Sequence, residues 1–404
     1  MHKNRWFSSL VTPRKDSLGV FILLINALTW HYMTVLVIDT YLRISGLSTL
    51  ATLTVWVTYF GSIIASSAIG SIVPFVARTR FLYSWMLLGA ALSFLPVFSF
   101  IPPQLWCLAL GLALGLGMPA CLAYFADCSK IENRGKTGGI IFLSSSLGAA
   151  ILAVAFTQLD LTMSILILVL WRSAGLGMLA FIPLKTNPGN SPDKKQHVSF
   201  RKIIGDRSLH LYLAAWVMFI LIDRSTWALL GRNLDPSLNT VAVIGPLLGS
   251  VAALVGGVLS DRMGRKKIVI SGFVALGLAY GMLGIAPDFL FSWYLYLAVD
   301  GIAWGILFVT FLLTLWGDLS QQGGSEKYYM IGAVPYYSAR IMESIIATTV
   351  LEIAPYTTFS LASIFLFIAV LPLLFAPETL PEKKIEIRRL RGYLDQAKKL
   401  REKH

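Results

Sequence analysis

Six ionisable side chains, His31, Asp223, Arg224, Asp300, Arg340 and Glu343, lie inside stretches that are otherwise apolar. The carboxyls and the imidazole can take up and release a proton, whereas a guanidinium keeps its charge and can only pair with an anion or bind one. Near the centre of a bilayer such a group costs about 2.5–3.5 kcal/mol on insertion scales, so each must face a partner or a wet cavity. Arg340 and Glu343 are three residues apart and share one helix face, where they can neutralise each other. Alternatively Arg340 pairs with Asp300 and leaves Glu343 to titrate. Counting helical rise places His31, Asp300, Arg340 and Glu343 in the middle third of their segments and Asp223 and Arg224 nearer the outer face. That depth favours Asp300 or Glu343 as a proton-coupling carboxylate. Arg172 also lies at mid-depth, with no partner evident in sequence.

A second group sits in GGVLSDRMGRKK, residues 256–267, between two long apolar runs. Asp261 can cap a helix start, Gly264 permits a tight turn, Arg262 adds basic charge, and Arg265 can reach a carboxylate such as Asp318. Arg78 could do the same with Asp127.

The elements that must position these groups are twelve apolar runs of about twenty residues, the length that crosses a hydrocarbon core. The chain of 404 residues is 56% hydrophobic and only 14% charged, which excludes an ordinary soluble domain and points to an all-α integral membrane protein. Of its 34 Lys and Arg, 29 fall at the N-terminus, in even-numbered loops and in the tail, and only Arg43 and Arg232 lie on the other side. Both termini are therefore expected in the cytoplasm of a cell-membrane protein, and the net charge of +13 is topogenic and calls for no nucleic acid. The first run is too long for a signal peptide and has no cleavage site after it. Cys107, Cys121 and Cys128 have no metal-ligand spacing and read as packing residues, so no cofactor is expected. Gly111, Gly115, Gly245, Gly249, Gly256 and Gly257 read as close-packing positions.

The chain also repeats itself. Asp127-Cys128-Ser129 closes the fourth run as Asp318-Leu319-Ser320 closes the tenth, and Gly70 with Arg78 echoes Gly257 with Arg265. The halves are drawn at residues 1–184 and 209–376, joined by a polar linker at 185–208 and followed by a charged tail at 377–404. GGVLSDRMGRKK resembles the loop signature of the major facilitator superfamily, G-x-L-x-D-R-x-G-R-K/R, and Ala376-Pro377-Glu378-Thr379-Leu380 resembles the end of many members' last helix. The first-half copy is degenerate, with Pro74 in place of the Asp and Ala77 in place of the Gly.

The resemblance implies two pseudosymmetric six-helix bundles rocking about a central site. Spans one, four, seven and ten, which carry His31, Asp223 and Asp300, would line the path. On this view Asp261, Arg262, Gly264, Arg265 and Asp318, with Arg78 and Asp127, form a cytoplasmic gate whose charge pairs break when that side opens. The expected function is a secondary active transporter of a small solute, acting as a monomer, with protons as one coupling ion. No ATP-binding loop is present, and the fifth run lacks the Gly-Pro signature of drug–proton antiporters. A passive facilitator and a transport-inactive sensor are the alternatives. In the tail, Ile387, Leu390, Leu394 and Ala397 recur at helical spacing among basic residues, as in an amphipathic helix on a membrane surface.

Overall fold

The computed structural model describes residues 18–72, 78–185, 198–230, 239–348 and 355–380, and the regular structure among them is helical. Pro74, Ala77, Arg232, the centre of the linker and the amphipathic pattern of the tail lie outside these residues. Twelve long helices follow one another: α1 Leu18–Ser45, α2 Thr49–Gly70, α3 Arg78–Leu92, α4 Pro103–Cys128, α5 Arg134–Thr157 and α6 Leu161–Phe181 form the first six. The second six are α7 Arg207–Leu230, α8 Asn239–Met263, α9 Arg265–Ile285, α10 Leu290–Leu319, α11 Ser325–Thr348 and α12 Pro355–Phe375. Among the described residues ten of these are long and apolar enough to cross a membrane. The other two, α8 and α11, complete the set, and α11 is polar because it carries Glu326, Lys327, Arg340 and Glu343. In α10 the turns over Val309–Thr314 widen into a π-helix.

Helix pairings in the first bundle recur six helices later. In the first, α1 packs on α5 and α6, α2 on α4, and α3 on α4 and α6; in the second, α7 packs on α11 and α12, α8 on α10, and α9 on α10 and α12. The bundles meet through α5 against α8 and α2 against α11, the same pairing read in both directions. The offset between sequence landmarks is thus also an offset between contacts.

Lipid-facing and core-facing surfaces are equally apolar, so close approach rather than hydrophobicity selects partners in a bilayer. Glycine supplies that approach. A Cβ on Gly305 of α10 would stand 1.9 Å from the Gly249 carbonyl of α8, and one on Gly115 of α4 would stand 2.2 Å from the Ile63 carbonyl of α2. Gly245 has open space around its own α-carbon, but its carbonyl would lie 2.7 Å from a Cβ on Gly301.

Arg172 turns inward from α6. Its Nη1 donates to Asn26 Oδ1 at 2.8 Å, and its guanidinium carbon lies 4.4 Å from the Trp30 ring and 4.3 Å from the Trp85 ring. Two aromatic faces take the place of a carboxylate, which ties α6 to α1 and α3.

Gly305→Val should cost more than the roughly 1–3 kcal/mol typical of overpacking, because the obstacle is backbone. Gly177→Ala on α6, where nothing lies within 4 Å of the added carbon, should be neutral or slightly stabilising. Thermal unfolding of the two purified variants in detergent separates the outcomes.

Candidate functional site

Two clusters of charge occupy opposite ends of the interface between bundles. The first surrounds the loop between α8 and α9. Gly264 adopts φ 104°, a conformation open to glycine but strained for other residues, and this turns the chain directly from α8 into α9. The first N–H groups of α9 then need acceptors. Glu378, in the segment after α12, accepts from the N–H of Arg265 at 2.8 Å and of Lys266 at 3.2 Å.

Arg265 is fully buried and spends its guanidinium on four partners. Nε donates to Asp318 Oδ2 at 2.9 Å, Nη2 to the Ile131 carbonyl at 2.8 Å, and Nη1 to Ser260 Oγ at 3.0 Å and to Asp261 Oδ1. Asp318 is shared, for its other oxygen receives Arg134 Nη1 from the first bundle. Asp261 reaches across as well: it accepts from the N–H of Gly135 at 2.9 Å and of Lys136 at 2.7 Å, the opening turn of α5. It caps a helix of the opposite bundle, where an anion meets both free donors and the positive end of the helix dipole. Burial pushes the Asp261 carboxyl up from its ordinary range, while Arg265 and the Lys136 and Gly135 N–H groups oppose that shift. On the other side of the interface Arg78 binds Asp127 Oδ2 through Nη1 at 2.6 Å and Glu326 of the second bundle through Nη2. Arg262 is exposed at the end of α8.

Backbones close the same face. A Cβ on Gly257 would stand 2.2 Å from the Gly135 carbonyl, and one on Gly139 would stand 2.7 Å from the Ala253 carbonyl, so α5 and α8 touch without side chains between them. This gives Gly257, the first glycine of the G-x-L-x-D-R pattern, a physical reason. Arg134, Glu326 and Glu378 were missed from sequence. Arg134 and Glu326 resemble ordinary loop charges until the fold brings opposite bundles together.

The second cluster borders a cavity of about 670 Å³ between the bundles, on the side away from the first. His31, Arg224, Asp300 and Arg340 line it, with Tyr32, Trp56, Phe142, Trp227, Trp304, Phe308 and Tyr336 as an aromatic wall. It reaches Asp39 near the far end of α1, whose carboxylate binds Arg43 at 2.8 Å. Arg224 Nη2 lies 2.8 Å from Asp223 Oδ2, and Trp304 Nε1 donates to Asp223 Oδ1 at 2.7 Å. Arg340 Nη1 donates to Glu343 Oε2 at 2.7 Å, and Arg224 Nη1 stands 3.7 Å from the same oxygen. His31 Nδ1 is 3.2 Å from the Tyr59 hydroxyl.

Of the two pairings that the sequence leaves open for Arg340, the one with Glu343 is formed and the one with Asp300 is not. Asp300 instead lies beside Asp223, and its Oδ1 has no hydrogen-bond partner among the described residues. Asp223 therefore shares the depth of Asp300 and does not sit apart near the outer face. Since α7 and α10 run antiparallel, a late turn of one meets an early turn of the other, which counting along each separately does not show.

Residues 17–331 match the family described as Major Facilitator Superfamily. No curated protein sequence matches the chain significantly. Among solved structures, the human organic anion transporter MFSD10 (TETRAN) superposes with a TM-score of 0.64 at 15% identity, over 90% of this chain and 100% of that one. The proton:xylose symporter XylE bound to 6-bromo-6-deoxy-D-glucose gives 0.68 at 15% identity over 90% and 96%. The E. coli fucose:proton symporter FucP gives 0.63 at 14% identity over 89% and 97%.

Asp318→Asn leaves two buried guanidiniums without the carboxylate they share. Breaking a buried pair in this way costs about 3–5 kcal/mol, enough to shift the conformational balance toward separated bundles at this face. Spin labels at the exposed Lys130 and Lys267 should move apart in the variant, and Gly257→Val should move them the same way. An unchanged distance distribution in both variants would show that this network does not hold the face shut.

Proposed function

The chain belongs to the major facilitator superfamily, and on that premise we propose that it is a secondary active transporter moving a small solute by alternating access. Two of the structural neighbours are described as proton symporters, which supports coupling to protons. The positive-inside count supports a cell-membrane protein with the ion-paired face toward the cytoplasm and the cavity toward the outside. Gating belongs to Asp261, Gly264, Arg265, Asp318, Arg78 and Asp127, with Arg134 and Glu326 added as the partners that span the bundles. Arg262, at the exposed end of α8, belongs with them. The two halves, 1–184 and 209–376, move as the rocking units.

The observation that carries proton coupling is the charge inventory of the cavity cluster. Asp223, Asp300 and Glu343 face Arg224 and Arg340, so three carboxylates meet two guanidiniums. The cluster is neutral only with one proton on it, and a buried assembly favours neutrality. A passive facilitator has no need of such a cluster beside its cavity. His31, held by Tyr59, completes the set of cavity residues proposed to bind solute or proton.

The test is uptake into liposomes by the purified protein, with a panel of radiolabelled sugars and organic anions, under a pH gradient and separately as exchange without one. A coupling residue loses pH-driven accumulation and keeps exchange, because exchange needs no net proton movement. At least one of Asp300→Asn and Glu343→Gln should behave in this way. Accumulation retained in both variants would remove the coupling role from this cluster.

A further inference from the structure

The charges that border the cavity differ in how far they reach it. Asp223 is 1% exposed and Asp300 6%, whereas the side chains of Arg224 and Arg340 are 18% and 22% exposed and both line the wall. Asp223 is also held by the Trp304 indole and by Arg224. Arg340 spends Nη1 on Glu343. Arg224 spends Nε and Nη2 on Asp223. A guanidinium carries five N–H donors in a fixed fork suited to a carboxylate or phosphate, and both side chains line the cavity. Of the nearby carboxylates, Asp223 and Asp300 are buried, Glu343, 23% exposed, is paired with Arg340, and Asp39 at the outer end is paired with Arg43, so Arg224 and Arg340 are the cations that an acid group in this space would reach. Around them the wall is aromatic. Arg224 itself lies 4.7 Å from the Trp304 ring and Arg340 5.5 Å from the Phe60 ring, contacts that help to hold both side chains in place.

We propose that the cavity binds an amphipathic organic monoanion, its acid group on Arg224 and Arg340 and its apolar body against Trp227, Trp304 and Phe308. This rests on the transporter reading above and gives it a substrate class. Glu343 is the internal anion already paired with Arg340, with Arg224 3.7 Å from the same oxygen. Arrival of a second anion puts one negative charge too many in a poorly solvated space, and a proton from solvent on the Glu343 carboxylate restores the balance. Anion and proton then travel together, one of each, without net charge. Glu343 pairs with Arg340 on its own helix, lies 3.7 Å from Arg224 on α7 and acts electrostatically on Asp223; Tyr336 and Asp300 act on Arg224, and Arg340 acts on His31. Asp223 and Asp300 keep one proton between them through this step.

The experiment uses full-length protein in liposomes and a series of radiolabelled ω-phenyl carboxylates, from benzoate to phenylhexanoate, beside the amide and the amine of the same carbon skeletons. Binding is read from quenching of the cavity tryptophans and transport from accumulation under an inward proton gradient. At least one carboxylate should bind ten times or more tighter than its amide and amine, and more tightly as pH falls. Glu343→Gln should keep that binding and lose its pH dependence; Arg340→Gln should weaken it at least tenfold, and Arg340→Lys should restore part of it. Equal or tighter binding of the amine or the amide, or no binding by any carboxylate, overturns the anion site. If an amine or a sugar accumulates while no carboxylate does, the transporter reading stands and the substrate class fails. If a carboxylate binds with this pattern but never accumulates, the anion site stands and the transport reading fails.

Discussion

A charge that leaves water for the interior of a membrane protein must take its compensation with it, because lipid offers none. The buried charges of this chain are arranged by that constraint. Arg172 is compensated by two indole faces and one amide oxygen, Arg265 by two carboxylates and a carbonyl, and Arg224 by Asp223 with Glu343 nearby. Buried ion pairs of this kind seldom add stability, since desolvation offsets the attraction. They do fix which helices lie together, because any other arrangement strands a charge. The first cluster knits opposite bundles at one face, while the second stands beside a cavity with its cations only partly covered.

The two clusters are mechanically joined by α10. Asp300 on its early turns belongs to the cavity cluster and Asp318 on its last turns to the ion-paired face, so one helix carries a carboxylate in each. Between them lie the π-turns at Val309–Thr314, where Thr310 and Thr314 bond back to the carbonyls of Ile306 and Thr310. Such turns loosen the regular ladder and concentrate at functional positions. α11 does the same with Glu326 at one end and Arg340 and Glu343 further along.

The spans were legible because apolar runs of membrane length are a strong signal, and the repeat of Gly70 and Arg78 at Gly257 and Arg265 announced two related bundles. Contacts of Arg265 with Asp318 and of Arg78 with Asp127 were legible for the same reason, since both partners sit at matching landmarks. Arg134 and Glu326 were not. Their partners lie 184 and 248 residues away in the opposite bundle, and no periodicity within one helix registers a contact between bundles. Glu378 stood in a motif noted for where it ends a helix, while its side chain serves the start of another, α9. Arg172 lacked a visible partner because the search was for carboxylates, and tryptophan does not register as compensation. The depth of Asp223 was misjudged because rise along a helix fixes position only relative to its own end.

Asp261 accepts hydrogen bonds from the first turn of α5 across the bundle interface. Those two N–H groups have no acceptor within their own helix, so were the bundles to part as proposed, the donors and the carboxylate would both be handed to solvent. The Ile131 carbonyl, released by Arg265, makes the same demand. Separation at this face is therefore a hydration reaction as much as a breaking of charge pairs, with water as a stoichiometric reactant. Water activity then becomes a variable in its own right: a solute excluded from the protein surface draws the equilibrium toward the joined state without touching a single residue.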